Sequence, residues 1–390
     1  MYKVLTLNQI AVAGLERLPR DRFETSTECS DPDAILVRSA RLGTDHATPR
    51  LRAVARAGAG VNNIPVGDYT RRGIVVFNTP GANANSVKEI VLAALLLAVR
   101  DLSGGMRFVA ELSPTLDDAE LHRIVEAEKK RFRGGELAGR TLGVVGLGAI
   151  GARVAEMGLR LGMRVVGYDP AISVDAAWRI PAEVERMENL PSLLARSDFV
   201  TLHVPALEAT RHLIDADALA SVRPGAVLLN YARETIVDEH AVAAALDAGR
   251  LARYVSDFPA RALLGRDDAL FTPHLGASTT EAEENCAVMA AEQLVDFLER
   301  GNIRNSVNFP SVYLEPNGPH RIAVVNENVP KMLGAILSLL ADHELNIIDM
   351  LNKSRDDVAY NLIDLEAPAP AELLSALRDV DGVVGVHSFG

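Results

Sequence analysis

Apolar runs of four or five residues alternate with helical periods along most of the chain, the pattern of strands buried on both faces between helices. Residues 4–7, 34–37 and 74–76 read as such strands, so that residues 1 to about 100 make a first α/β unit. A long apolar helix is predicted over 86–102, crossing into a second unit. A charged helical stretch follows over 117–133, acids first and bases last, and reads as a solvated or subunit-contact helix. Further strands are expected at 142–145, 164–168, 199–202, 226–229, 254–256 and near Phe271. Past Glu281 a helix through Val288, Leu294 and Phe297 ends at Gly301, and the Pro/Asn/Gly-rich stretch 308–319 reads as a linker. The last seventy or so residues repeat strand and helix in the order β-α-β-β-α-β, a ferredoxin-like arrangement expected to form a separate small domain.

One stretch carries chemistry in its spacing. The strand at 142–145 runs into Gly146, Gly148 and Gly151, a G-x-G-x-x-G that opens a helix with Val154, Met157 and Leu161 on one face. The glycines permit a tight turn, a close backbone approach to a pyrophosphate and close helix–strand packing, and the free N–H groups of the helix start then face the phosphates. The next strand ends in Asp169, 18 residues past Gly151. A carboxylate there binds a ribose 2′-hydroxyl and repels a 2′-phosphate, which points to NAD rather than NADP. A first α/β unit, a second α/β unit built around this dinucleotide-binding turn, and a ferredoxin-like α+β domain at the end are expected.

Composition narrows the picture. A net charge of −12 argues against nucleic acid or an anionic membrane as partner. Cys29 and Cys286 form neither a disulfide framework nor a metal spacing, and the first residues lack a signal-peptide core, so the cytoplasm is the expected compartment. The most apolar run, 90–99, is too short to span a bilayer.

Three stretches place polar groups beyond strand ends: 197–205, closing on His203, Val204 and Pro205; 223–234, where Arg233 follows a very apolar strand; and 271–278, where His274 sits between Pro273 and Leu275-Gly276. An arginine fork grips a carboxylate bidentately, and histidine is suited to take a hydroxyl proton. Together they fit hydride removal from a 2-hydroxy acid, with no zinc cluster to suggest a metal route. In the first unit, Arg38-Ser39 and the turn 58–62 lie beyond strand ends, where doubly wound sheets gather ligands.

The ordered set Gly146–Gly151, Ser197–Pro205, Asn230–Arg233 and Pro273–Ser278 resembles the D-isomer-specific 2-hydroxyacid dehydrogenase family, and its members that end in an ACT-like module most of all. That resemblance implies two Rossmann-like doubly wound domains, 1–100 plus the returning 285–310 for substrate and 101–284 for NAD, followed by the ferredoxin-like module at 320–390, with Arg233 as the carboxylate clamp and His274 as the acid/base. It implies Gly146, Gly148, Ala149, Ile150, Gly151, Asp169, His203, Val204, Pro205, Thr210, Ala232, Arg233, Asp257, His274 and Gly276 as the NAD lining. Arg38, Ser39, Gly60, Val61 and Asn83 join Arg233 and His274 as substrate contacts. The implied substrate is 3-phospho-D-glycerate, oxidised at C2, with glyoxylate, hydroxypyruvate or a D-lactate-like acid as alternatives, and a non-catalytic NAD(H) sensor as the reading from another class. Asn328 and Asn346 match an L-serine effector pattern between paired modules, Asn326 stands in it where a histidine is frequent and Lys331 where a glycine is usual, and a homodimer or homotetramer is expected. Two departures stand out. Glu234 follows Arg233 where the family usually has glycine. The family's glutamate partner for the histidine is missing, and Asp257 is the expected substitute, ahead of Asp267 and Asp268.

Overall fold

In the computed structural model, which describes residues 1–389, the chain divides into two units: Met1–Asn83 with the chain from Thr280 onward, and Ala84–Thr279.

The first unit holds two sheets. Strands β1 (Tyr2–Leu7), β2 (Phe23–Ser26), β3 (Ala34–Val37), β4 (Ala53–Arg56) and β5 (Val75–Phe77) form a parallel sheet in the order β2-β1-β3-β4-β5. This is a doubly wound order whose switch point lies between β1 and β3. Every residue of β3 and β5 is buried because both faces are covered. Tyr69 and Ile64 cover one face. The helix Thr280–Arg300 covers the other, with alanines 287, 290 and 291 allowing close approach and Phe297 meeting Phe77 edge-on at 5.6 Å.

The second sheet of this unit is antiparallel. Strands β13 (His320–Glu327), β14 (Ile347–Arg355), β15 (Val358–Leu365) and β16 (Val383–Phe389) are ordered β14-β15-β13-β16; β6 to β12 belong to the other unit. With helices Met332–Asp342 and Ala371–Arg378 this gives the expected β-α-β-β-α-β order. The expected separation does not hold. One face of this sheet packs on its two helices through Ile322, Val324, Ile363 and Leu365. The opposite face, through Val325, Tyr360, Leu362 and Phe389, shares a core with Phe297, Leu298 and Phe309.

The linker expectation also needs correction. Asn308, Phe309 and Val312 are buried, and Ile303 pairs with Val312 in an antiparallel bridge. The Asn308 amide accepts from Val76 N–H at 2.8 Å and donates to Ile74 O at 2.9 Å, so a turn-rich composition here encodes a docked segment. Its far end is pinned by a buried ion pair. Arg321 Nε and Nη2 donate to Asp364 at 2.5 and 2.8 Å, and Arg321 Nη1 donates to the carbonyls of Arg300 and Leu314.

The second unit is one parallel sheet of β6 (Thr141–Val145), β7 (Arg164–Tyr168), β8 (Glu185–Arg186), β9 (Phe199–Leu202), β10 (Ala226–Asn230), β11 (Leu251–Ser256) and β12 (Ala269–Phe271). Its order, β12-β11-β10-β9-β6-β7-β8, turns back between β6 and β9. This unit begins at Ala84 and not at 101, because Val87, Val91 and Leu95 of helix Ala84–Val99 share a core with Leu142, Val144 and Val154. Among the described residues no helix is long and apolar enough to cross a membrane.

Removing one partner of the buried pair strands a charge. Asp364→Ala should lower stability by about 3–5 kcal/mol, read as a drop in the urea midpoint. A loss under about 1 kcal/mol, the value of an exposed pair, would contradict the structural role given to it.

Candidate active site

The glycine loop sits at the switch point of the second unit's sheet. Gly146 takes φ +89°, and a Cβ there would come 2.7 Å from His203 O. A Cβ on Gly151 would lie 1.9 Å from Gly146 O. Gly148, which precedes the helix Ala149–Arg160, has no atom within 4 Å of that position beyond its own residue and its chain neighbours. Two glycines are thus required by the fold, and the third keeps open a space that the protein does not fill. A cavity of about 240 Å³ opens here, lined by Leu147, Gly148, Ala149, Ala152, Arg153 and Arg179 among others. Asp169 accepts from Leu147 N–H at 2.9 Å and Ala171 N–H at 3.0 Å, which fixes its carboxylate beside the loop. Open helix-start N–H groups, an open Gly148 and a positioned carboxylate fit a dinucleotide. Ile150 instead packs against the core.

Across the switch point, His203 N–H donates to Val145 O at 2.7 Å, and the ring Nε2 lies 2.9 Å from Thr201 Oγ1. Burial pushes its pKa down to about 3, so the ring is neutral, and its Nδ1 is buried without a partner. Val204 lies against Gly146. Thr210 donates to Pro205 O at 2.6 Å and closes this loop on itself.

The loops after β10, β11 and β12 carry Arg233, Asp257 and His274, the residues expected from the sequence. Asn230, fully buried, donates to Arg233 O at 2.9 Å and accepts from Ala232 N–H at 3.1 Å, which shapes the turn that carries Arg233. Arg233 is half-buried and extended, and it donates Nη1 to Ala232 O at 2.6 Å; no carboxylate among the described residues pairs with it. Asp257 is 2% exposed. Its Oδ1 accepts from Thr272 Oγ1 at 2.6 Å and Leu275 N–H at 2.7 Å, and its Oδ2 accepts from Gly276 N–H at 2.7 Å. A Cβ on Gly276 would sit 2.9 Å from that oxygen, so glycine is needed for the approach. Ser86 donates to Gly276 O at 2.8 Å from the other side. Between these bonds His274 adopts φ +57°, its exposed ring edge-on to Phe258 at 4.9 Å.

This corrects the expectation for Asp257. Its carboxylate holds the loop backbone and makes no hydrogen bond to the imidazole. Asp268 is taken by Arg266 at 2.8 and 2.9 Å, and Asp267 is exposed.

The first unit has its own switch-point groups. Asn8, at φ +69°, accepts from the N–H groups of Ser39 and Ala40 at 2.9 and 2.6 Å and so frames the Arg38-Ser39 turn. Arg38 pairs with Glu283 at 2.5 Å. Arg56 donates to Arg38 O at 3.0 Å and Gly60 O at 2.5 Å, tying that turn to the one carrying Gly60 and Val61. Asn83 Oδ1 is buried without a hydrogen-bond partner. Asn8, Arg56 and Glu283 were not singled out by the sequence reading; the polar residue ending β1 beside the Arg38 strand was the available signal for Asn8.

The family model for the D-isomer specific 2-hydroxyacid dehydrogenase, NAD binding domain, matches residues 103–276. The D-3-phosphoglycerate dehydrogenase of Haemophilus influenzae is 33% identical over 351 residues, 87% of this chain and 81% of that protein. This chain belongs to the D-isomer-specific 2-hydroxyacid dehydrogenase family. The D-3-phosphoglycerate dehydrogenase of Methanocaldococcus jannaschii is 34% identical over 337 residues, 84% of this chain but 61% of its own length, so the chain spans about three-fifths of that relative. In fold, the holo D-mandelate dehydrogenase of Rhodotorula graminis is similar at a TM-score of 0.67 and 24% identity, covering 80% of this chain and 99% of that one.

For a 2-hydroxyacid dehydrogenase, the antiparallel sheet is where an effector was expected. Asn326 is buried, donates to Glu327 O and accepts from Asn361. Asn328 donates to Asp356 O, and Asn346 to Glu366. The register aligns His320 with Leu365 and Ile347, which puts Asn346 at the opposite end of the sheet from Asn326, roughly 20 Å away by strand rise. One copy does not bring these asparagines together.

The glycine geometry yields a paired test. Gly148→Ala should keep the wild-type unfolding midpoint while NADH affinity falls at least about tenfold. Gly151→Ala should destabilise by about 3 kcal/mol or more. Fluorescence titration and urea unfolding read both; equal effects of the two substitutions on both readouts would refute the assignment.

Proposed function

We propose that this chain is an NAD-dependent dehydrogenase that oxidises 3-phospho-D-glycerate at C2 to 3-phosphohydroxypyruvate, the entry step to L-serine. The observation that carries the reading is Arg233 with no carboxylate partner among the described residues, on the same strand-end rim as the loop that holds His274. The identity to D-3-phosphoglycerate dehydrogenases of two organisms supports the choice of substrate.

Bound along Gly146–Gly151, NAD supplies a hydride acceptor, and Asp169 favours it over the 2′-phosphorylated form. Arg233 holds the C1 carboxylate through its planar fork, which orients C2. His274 takes the C2 hydroxyl proton as the C2–H bond gives up its hydride and the C2–O bond becomes a carbonyl. Asp257 keeps the His274 loop in place, and Asn230 does the same for Arg233. Arg38 is the phosphate-binding cation and exchanges Glu283 for the substrate.

The β-α-β-β-α-β region is proposed as an ACT-like module. An L-serine site using Asn326, Asn328 and Asn346 requires two copies of the chain, given their separation in one, and a homo-oligomer is part of the proposal.

Among the described residues no carboxylate hydrogen-bonds the His274 ring, which favours one second reading, an NAD(H) sensor without turnover. NADH appearance at 340 nm, with a hydrazine trap, separates the readings. Turnover of 3-phosphoglycerate well above that of D-glycerate and D-lactate is expected, with inhibition by L-serine. His274→Ala should lower kcat by about 10²–10⁴ with NADH still bound. Turnover only of unphosphorylated acids would move the substrate assignment to those acids, and NADH binding with no turnover of any acid would favour the sensor.

A further inference from the structure

A second concentration of arginine lies away from both switch points. Arg50 and Arg52 lead into β4, Arg72 lies just before β5, and Arg378 ends the helix Ala371–Arg378. With His387 of β16 and Asp33 they line a cavity of about 430 Å³. Four arginines around one space are notable in a chain of net charge −12. The single carboxylate is already committed: Asp33 accepts from Arg50 Nε and from Lys3 N–H, both at 2.7 Å. Arg72 reaches the carbonyls of Thr44 and Ala47, and no ion pair among the described residues includes Arg378.

Arg52 is the decisive member. Its guanidinium lies over the ring of Phe389 at 5.1 Å and that of Phe297 at 5.8 Å, and its Nε and Nη2 are buried with no hydrogen-bond partner. Burial lowers its pKa. Unsatisfied buried donors on a cation are expensive in a folded chain, and the aromatic faces offset only part of that. His387 is held neutral, at about 3, by burial and by the charges of Arg52 and Arg378, so it adds a hydrogen-bonding group and no further charge.

We propose that this cavity is a binding site for a small phosphate-type oxyanion, with Arg52 and Arg378 as its main cationic contacts and Arg72 at its rim. Guanidinium forks suit the several oxygens of phosphate, and Arg52 and Arg378 both line this space with no carboxylate ion pair among the described residues. The occupant bridges the parallel sheet, through Arg52, and the antiparallel sheet, through β16 and Arg378. It therefore fastens the two sheets of this unit across the edge at Gly73, where a Cβ would already meet Val384 at 3.2 Å. This site is independent of the dehydrogenase reading, since none of its residues belongs to that chemistry.

The test is calorimetric titration of the full chain, saturated with NADH, with inorganic phosphate and separately with glycerol 3-phosphate at matched ionic strength. The expected result, for at least one of the two probes, is a saturable site that persists in the Arg38→Gln chain, whose substrate phosphate contact is removed. Tighter binding of the free ion or of the ester tells which source of phosphate the site is built for. Affinity should fall at least tenfold in Arg378→Gln and in Arg52→Gln, and remain at wild type in Arg38→Gln. Arg378 is exposed, so its variant reports on the site even if the Arg52 variant fails to fold. No saturable binding, binding unchanged in Arg378→Gln, or binding lost only in Arg38→Gln would each overturn the proposal.

Discussion

A buried carboxylate holding a strained loop is the constraint on which the candidate active site rests. His274 occupies left-handed backbone, a conformation that costs about 1–3 kcal/mol for a residue with a side chain. Asp257 keeps it there by accepting two backbone N–H groups and a threonine hydroxyl, while the backbone N–H of His274 donates to the carbonyls of Asp257 and Thr272. That arrangement works because β11 and β12 run parallel and end together, which delivers Asp257 and Thr272 to the same rim. The tight approach then requires glycine at 276.

The same logic repeats around both parallel sheets. Each reverses its strand order once, and the candidate site residues collect beyond the strand ends. In the second unit the glycine loop follows β6 and His203 follows β9. In the first, Asn8 follows β1 and frames Arg38 after β3. Apolar strands buried on both faces make this possible, because they leave polar side chains to the loops. The helix Thr280–Arg300 returns to cover one face of the first sheet and also packs against the antiparallel sheet, which gives that unit one continuous core.

Much of this was legible in the residues, for physical reasons. Doubly buried strands write continuous apolar runs, and the glycine spacing of 146–151 records contacts a Cβ would destroy, so both survive in one dimension. The two-residue edge strand β8 is exposed and leaves no such trace. The segment 308–319 misled because prolines and asparagines mark turns whether a chain is free or docked, and the Asn308 bonds that dock it are made to residues more than 230 positions away. Asp257 misled in a related way. Its proximity to His274 was readable, but the direction of its carboxylate depends on backbone N–H groups that every sequence shares. Arg56 and Glu283 act through contacts of long range, invisible to spacing.

The central claim is that Asp257 orders the histidine loop and does not act on the imidazole itself. The pH profile of kcat/KM for the Asp257→Asn variant tests it most directly. An amide there turns a donor toward the N–H groups of Leu275 or Gly276, so activity should fall by about a hundredfold or more while the acid limb keeps its midpoint. A variant whose activity persists but whose acid limb moves by a full pH unit would contradict the account, because it would make Asp257 the electrostatic partner of His274.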